Sequence, residues 1–137
     1  MRTFEHRTAL RFVVVVLSLV LVGCDGYVKV RGAVRNSRGE PVAGAEIHVT
    51  NMDQYWRTES RGDGCFDRSG TTDPMHSSEP LTVVAPGYKA ASAKVRTGGI
   101  HNQVIVTLVP SDSEAVSRIQ LLAPGDSKNL ALCDEVK

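Results

Sequence analysis

The sequence predicts an all-β protein, a seven-stranded Greek-key β-sandwich preceded by an export segment. Three observations carry that prediction. From Tyr27 onward apolar and polar residues alternate, the period of a strand buried on one side. Gly, Pro, Asn and Asp interrupt the alternation at roughly eight- to twelve-residue intervals, the spacing of turns in a sandwich. A short apolar run with basic residues ahead of it stands at the amino terminus, apart from the alternating region.

Each strand has its own justification. Val28, Val30 and Val34 form one face of the first, with Lys29, Arg31 and Arg35 on the other, and Asn36-Ser37-Arg38-Gly39 is the turn that follows. Ala45, Ile47 and Val49 alternate with Glu46, His48 and Thr50; Pro41 stands ahead of this strand, where its missing N–H does no harm. Tyr55 to Thr58 and Gly64 to Asp67 predict a hairpin around Ser60-Arg61-Gly62-Asp63, with Phe66 pointing inward and Cys65 outward. Thr71 to Pro80 reads as a polar loop. Leu81 to Ala85, Tyr88 to Val95 and Gln103 to Val109 complete the seven, divided by Pro86-Gly87 and Thr97-Gly98-Gly99. Beyond them, Ser111 and Glu114 have capping-box spacing, with Val116, Ile119 and Gln120 at helical intervals. That pattern allows a short carboxy-terminal helix ending at Ala123-Pro124-Gly125. Leu130, Leu132 and Val136 mark a chain end that packs on something.

The chain has 137 residues, 42% hydrophobic, and 16 basic against 15 acidic side chains give a formal net charge of +1. That balance excludes an electrostatic nucleic-acid binder. No block of like charge marks a disordered tail.

Arg2, Arg7 and Arg11 face a single Glu5 ahead of Phe12 to Val22, an almost unbroken apolar run of eleven residues. Crossing a bilayer takes about 20, so the run reads as a secretory signal rather than a permanent anchor. Leu21-Val22-Gly23-Cys24 follows directly and resembles the lipobox of bacterial lipoproteins. That resemblance implies cleavage before Cys24, acylation of its thiol and attachment to a lipid bilayer by more than one acyl chain, which holds firmly. Residues 1–23 are then the signal peptide and 24–26 a lipidated amino terminus with a short tether. The domain would face the periplasm or the exterior, on the inner or the outer membrane. Asp25 stands where enteric bacteria read retention in the inner membrane, a rule that depends on the organism. Removing the signal takes three arginines and one glutamate, so the mature charge is close to neutral and implies no charge-driven partner.

Five further pieces carry a second resemblance: Gly32-Ala33-Val34, Gly39-Glu40-Pro41-Val42-Ala43-Gly44-Ala45, Thr58 with Asp63-Gly64-Cys65-Phe66, Ala85-Pro86-Gly87-Tyr88, and Val104 to Pro110. In order and spacing they look like the carboxypeptidase regulatory-like domain, over Tyr27 to Pro110, leaving residues 111–137 as an extension. The resemblance implies a transthyretin-like sandwich of the kind found beside metallocarboxypeptidase catalytic domains, in outer-membrane receptors and as a stand-alone secreted module. The matched residues do turn and packing work, and the chain has no room for a peptidase domain.

Candidate chemistry is sparse. His48, His76 and His101 lack the short spacing of a zinc site, so neither a metal nor a cofactor is expected. His48 belongs to a polar strand face, and the other two read as loop residues. No G-x-S-x-G elbow is present. Some transthyretin-like proteins hydrolyse a purine breakdown product with a carboxy-terminal Tyr-Arg-Gly-Ser; here the chain ends Cys133-Asp134-Glu135-Val136-Lys137. Arg61-Gly62-Asp63 spells an integrin-binding tripeptide, and a solvent-facing turn explains it more simply. Tyr55 and Trp56 are adjacent in a strand, so one of them would point outward and could stack on a sugar or a partner protein, the other reading being a second buried aromatic.

With Cys24 acylated, Cys65 and Cys133 remain, and one intramolecular pairing is open to them in a compartment where disulfides persist. The outward direction of Cys65 lets a tail carrying Leu130, Leu132 and Cys133 lie across the sheet. The alternative is a small strand residue and a free thiol on a mobile end. The sequence thus points to a non-enzymatic, membrane-anchored binding or scaffolding module whose partner is an envelope protein or glycan. A carbohydrate-binding or small hydrolytic transthyretin-like protein is the alternative.

Overall fold

Period-two alternation becomes two four-stranded sheets in the computed structural model, which describes residues 26–50, 55–72, 75–124, 126 and 133. The signal segment and Cys24 lie outside the described residues, and of Tyr55 and Trp56 only the backbone is described. In chain order the strands are β1 Gly26–Asn36, β2 Glu46–Thr50, β3 Tyr55–Glu59, β4 Cys65–Thr72, β5 Ser78–Val84, β6 Ala91–Arg96, β7 His101–Leu108 and β8 Arg118–Leu121. One sheet has the order β4-β1-β7-β8 and the other β3-β2-β5-β6, a Greek-key sandwich of the transthyretin-like kind. β1 and β7 run parallel, and every other described pairing is antiparallel.

The inner faces are aliphatic. Val28, Val30 and Val34 from β1 meet Val104, Val106 and Leu108 from β7 on one side, and Ile47, Val49, Leu81, Val83 and Val95 on the other, all closed to solvent. Among the described residues Phe66 is the one fully enclosed aromatic of this core, with Tyr88 partly buried against it, and the Phe66 ring lies over Gly32, its register partner on β1. A Cβ at Gly32 would stand 2.4 Å from Val104 O and 2.9 Å from Phe66 Cζ, so the missing side chain is what lets the ring close over the strand.

Five expectations are corrected. Strands number eight among the described residues, not seven, because residues 118–121 add β8 to the edge beside β7. That segment was expected to carry a short helix, and instead it is extended. Ser117 Oγ accepts from Val109 N at 3.0 Å and donates to Lys89 O at 2.7 Å, while Lys89 Nζ reaches the carbonyls of Ser113 and Ala115. These long-range bonds pin residues 113–117 as a turn and leave Val116 exposed rather than on a helix face.

The expected hairpin of Tyr55 to Thr58 with Gly64 to Asp67 does not form either. β3 pairs with β2 in one sheet and β4 with β1 in the other, so Ser60 to Gly64 is an arch between layers. Ser60 anchors it: its buried Oγ donates to Val42 O at 2.7 Å and accepts from Ala45 N at 2.9 Å. Gly64 completes the crossing at φ +77, donating to Arg61 O while Val34 N donates to Gly64 O. A Cβ there would meet Val34 O at 2.5 Å, so glycine is required for space as well as conformation. Finally, His101 opens β7 rather than lying in a loop, and the polar loop after β4 is shorter than the sequence suggests, since β4 runs to Thr72 and β5 begins at Ser78.

Candidate functional site

The expected tail staple is present. Cys65 and Cys133 form a disulfide across 68 residues, with a Cα separation of 5.7 Å inside the range that such bridges take. Outward-facing residues of β1, β4 and β7 would otherwise be wet. Instead Ala33, Cys65 and Cys133 form a second buried cluster with Ile105 and Leu122 against it, and Leu122 N donates to Gln103 O at 2.8 Å. One sheet therefore buries apolar surface on both faces.

Arg61-Gly62-Asp63 forms the turn that the sequence suggested. Asp63 Oδ1 accepts from Cys65 N at 2.8 Å, and Oδ2 faces the Arg61 guanidinium at 3.6 Å. The Cys65 amide and the Arg61 charge together hold the Asp63 carboxyl below its ordinary range. At the β1–β2 turn Asn36 does comparable work. Its Oδ1 accepts from the amides of Arg38 and Glu40, and its Nδ2 donates to Glu40 at 2.7 Å, lowering that carboxyl's pKa with help from Arg38.

The other end of the sandwich is more varied in shape and chemistry. There β1, β3, β5 and β7 begin and β2, β4, β6 and β8 end, and the loops at 75–77 and 97–100 meet. Buried Asn102 organises it: Nδ2 donates to Lys29 O, Arg96 O and Ile100 O, and Oδ1 accepts from Arg96 N at 2.8 Å. One amide thus ties both sheets to the turn between β6 and β7. Glu79, 3% exposed, accepts from Thr72 Oγ1 at 2.8 Å and faces His76 Nδ1 at 3.3 Å. The same loop is tied to the turn by Thr97, which donates to His76 O through its hydroxyl and to Ser77 O through its amide.

Three hollows open at this end. One of about 540 Å³ lies between Thr50, Met75, His76, Glu79 and Lys94. A second, of similar size, lies between Met75, Arg96, Thr97 and Ile100. A third, of about 560 Å³, lies between Ile100, His101, Gln103, Leu121 and Leu122. Gln103, which lines the third hollow, has its Oε1 buried without a hydrogen-bond partner among the described residues.

Of the residues singled out from sequence, His76 lies in this region, and His101 lines its third hollow. His48 is apart, on β2, with Nε2 2.9 Å from Glu46 Oε2. Tyr55 and Trp56 lie on β3, opposite Thr50 and Val49, and the outward-pointing aromatic expected there concerns side chains outside what is described. Cys24 is likewise outside. Among the described residues no three His, Cys, Asp or Glu side chains converge as a metal-holding group, and no helix is long and apolar enough to cross a membrane. Asn102 and Glu79 were missed from sequence, where each is one polar residue in an alternating strand.

No family model matches the chain. No curated protein matches it. Solved structures do resemble it in shape. Catechol 1,2-dioxygenase from Pseudomonas arvilla C-1 matches with a TM-score of 0.50 and 9% identity, over 69% of this chain and 55% of that one. A single-residue mutant of catechol 1,2-dioxygenase from Acinetobacter radioresistens matches with a TM-score of 0.50 and 12% identity, over the same shares. The chain spans little more than half the length of these enzymes, and at such identities the likeness concerns the β-sandwich alone.

Proposed function

We propose that this chain is a non-enzymatic lipoprotein, a β-sandwich held to a bacterial membrane through acylated Cys24 that serves as a binding or scaffolding module at the cell envelope. The observation that carries the reading is Leu21-Val22-Gly23-Cys24 closing an eleven-residue apolar run. The disulfide between Cys65 and Cys133 supports an oxidising compartment, as expected of an exported domain. Two sheets in transthyretin-like order support the resemblance to carboxypeptidase regulatory-like domains. In that class the module positions or recognises, and its turns and core hold it in shape. Its partner in this reading is an envelope protein or a glycan, on either the inner or the outer membrane.

The test is Cys24→Ala in a bacterial host fed radioactive fatty acid. The wild type should take up label and fractionate with membranes, and the variant should lose the label and appear uncleaved or soluble. Label retained by the variant overturns the reading. The alternative, a carbohydrate-binding or small hydrolytic protein, draws support from the His76 and Glu79 pair beside an open hollow. Saturable binding of cell-wall glycans that is lost in Trp56→Ala, or turnover lost in His76→Ala, would favour it over the scaffold.

A further inference from the structure

The first strand begins two residues after the cysteine that the lipoprotein reading acylates. Gly26 is already paired with Thr72 across the β1–β4 ladder. Two extended residues reach at most about 7 Å, whereas the polar layer on each side of a bilayer is roughly 5 to 8 Å deep. An anchored Cys24 therefore leaves no spacer to lift the domain clear of the lipid. The end of the sandwich where β1 starts must rest at the membrane surface.

That end has the residues for it. Five large hydrophobic side chains are exposed among the described residues, and four of them lie there: Tyr27 at 39%, Met75 at 86%, Ile100 at 44% and Leu121 at 43%. Two come from strands of one sheet and two from the loops that join the sheets, yet they converge. Gly99 N donates to Tyr27 O, Ile100 and Leu121 line one hollow, and Met75 and Ile100 line another. Lys94 and Arg96 stand among them, exposed, and Lys29 is beside His101 in register. Of the carboxylates described at this end, Glu79 is buried against Thr72, and Asp126 follows the turn at Ala123. Glu40, Glu59, Asp63, Asp112 and Glu114 belong to the opposite end, where Val116, the fifth exposed hydrophobic, also lies. Apolar tips with an aromatic and a basic rim suit an anionic headgroup layer. A lipid surface would cover this otherwise costly hydrophobic exposure.

We propose that Tyr27, Met75, Ile100 and Leu121 sit in the headgroup layer of the membrane that holds Cys24, with Lys94 and Arg96 against anionic lipid phosphates. This rests on the lipid-anchor reading. It fixes orientation: the arch at Ser60 to Gly64 and the turn at 111–117 face away from the bilayer, toward a partner.

The experiment uses the full acylated chain in vesicles of equal parts phosphatidylethanolamine and phosphatidylglycerol. Nitroxide labels are placed at Ile100→Cys or Val116→Cys with the native disulfide kept oxidised, and the mass of the amino-terminal peptide reports acylation in the same samples. Collisions of the label with a water-soluble nickel chelate should be several-fold fewer at position 100 than at 116. Equal collision rates on acylated protein overturn the orientation and leave the anchor standing. An unmodified Cys24 removes the reach argument and overturns both.

Discussion

Replacing both Cys65 and Cys133 by serine should destabilise the sandwich by about 4 kcal/mol. Closing a loop of 68 residues in the unfolded chain removes, on the chain-entropy account, about 15 cal/mol/K, or about 4 kcal/mol at 25 °C. That is a ceiling, because a compact unfolded state has less entropy to lose. A second contribution acts on the folded state: without the bridge the tail can lift from Ala33 and Ile105, which then meet water. The assay is urea unfolding of the mature domain without its acyl group. With a slope of about 1.5 kcal/mol per molar, the midpoint should fall by roughly 2 to 3 M. Chemically reduced wild type should fall by a similar amount, since both lose the same tether. A change below about 1 kcal/mol in both would refute the reasoning. It would mean that the tail, not the bridge, holds itself on the sheet.

Other substitutions probe the core and the turns. Phe66→Ala should cost about 3 to 5 kcal/mol by the same assay, because it empties the position of a buried aromatic ring in the core. Gly32→Ala should cost at least about 1 to 3 kcal/mol, since its methyl would stand 2.6 Å from Val104 Cγ2 on a neighbouring central strand. Asp63→Asn keeps an acceptor for Cys65 N but loses the charge. The folded Asp63 carboxyl has a lowered pKa, so its contribution is present above the ordinary value of 3.8 and is lost as pH falls through the folded value. The gap in unfolding midpoint between wild type and Asp63→Asn should therefore be fully open at neutral pH and close below about pH 4, and a gap that widens with acid contradicts the assignment.

Much of the fold was legible because it is local. Val28, Val30 and Val34 alternate with charged residues, and a strand with one core face is the consequence. Cys65 was legible as an outward thiol because Phe66 beside it had to point inward. The arch at Ser60 to Gly64 was not legible. A hairpin and a crossing between sheets use the same Gly and Asp turn chemistry, and what separates them is Ser60 bonding to Val42 and Ala45, more than a dozen residues away. β8 was misread for a related reason: Ser111, Glu114, Val116 and Ile119 fit helical spacing, but Lys89 and Ser117 decide the conformation through tertiary bonds. The grouping of exposed apolar side chains at one end was hidden too, since Tyr27, Met75, Ile100 and Leu121 have no sequence period in common and are brought together by the turn that Asn102 holds and the loop that Thr97 ties to it.

The most direct test of the account is the intact mass of the protein extracted from envelopes and kept unreduced. It should equal a chain that begins at Cys24, carries its acyl groups, and is lighter by the two hydrogens lost in joining Cys65 to Cys133. A chain that begins elsewhere, or one that begins at Cys24 without lipid, would contradict the central claim that this sandwich is held directly at the membrane surface.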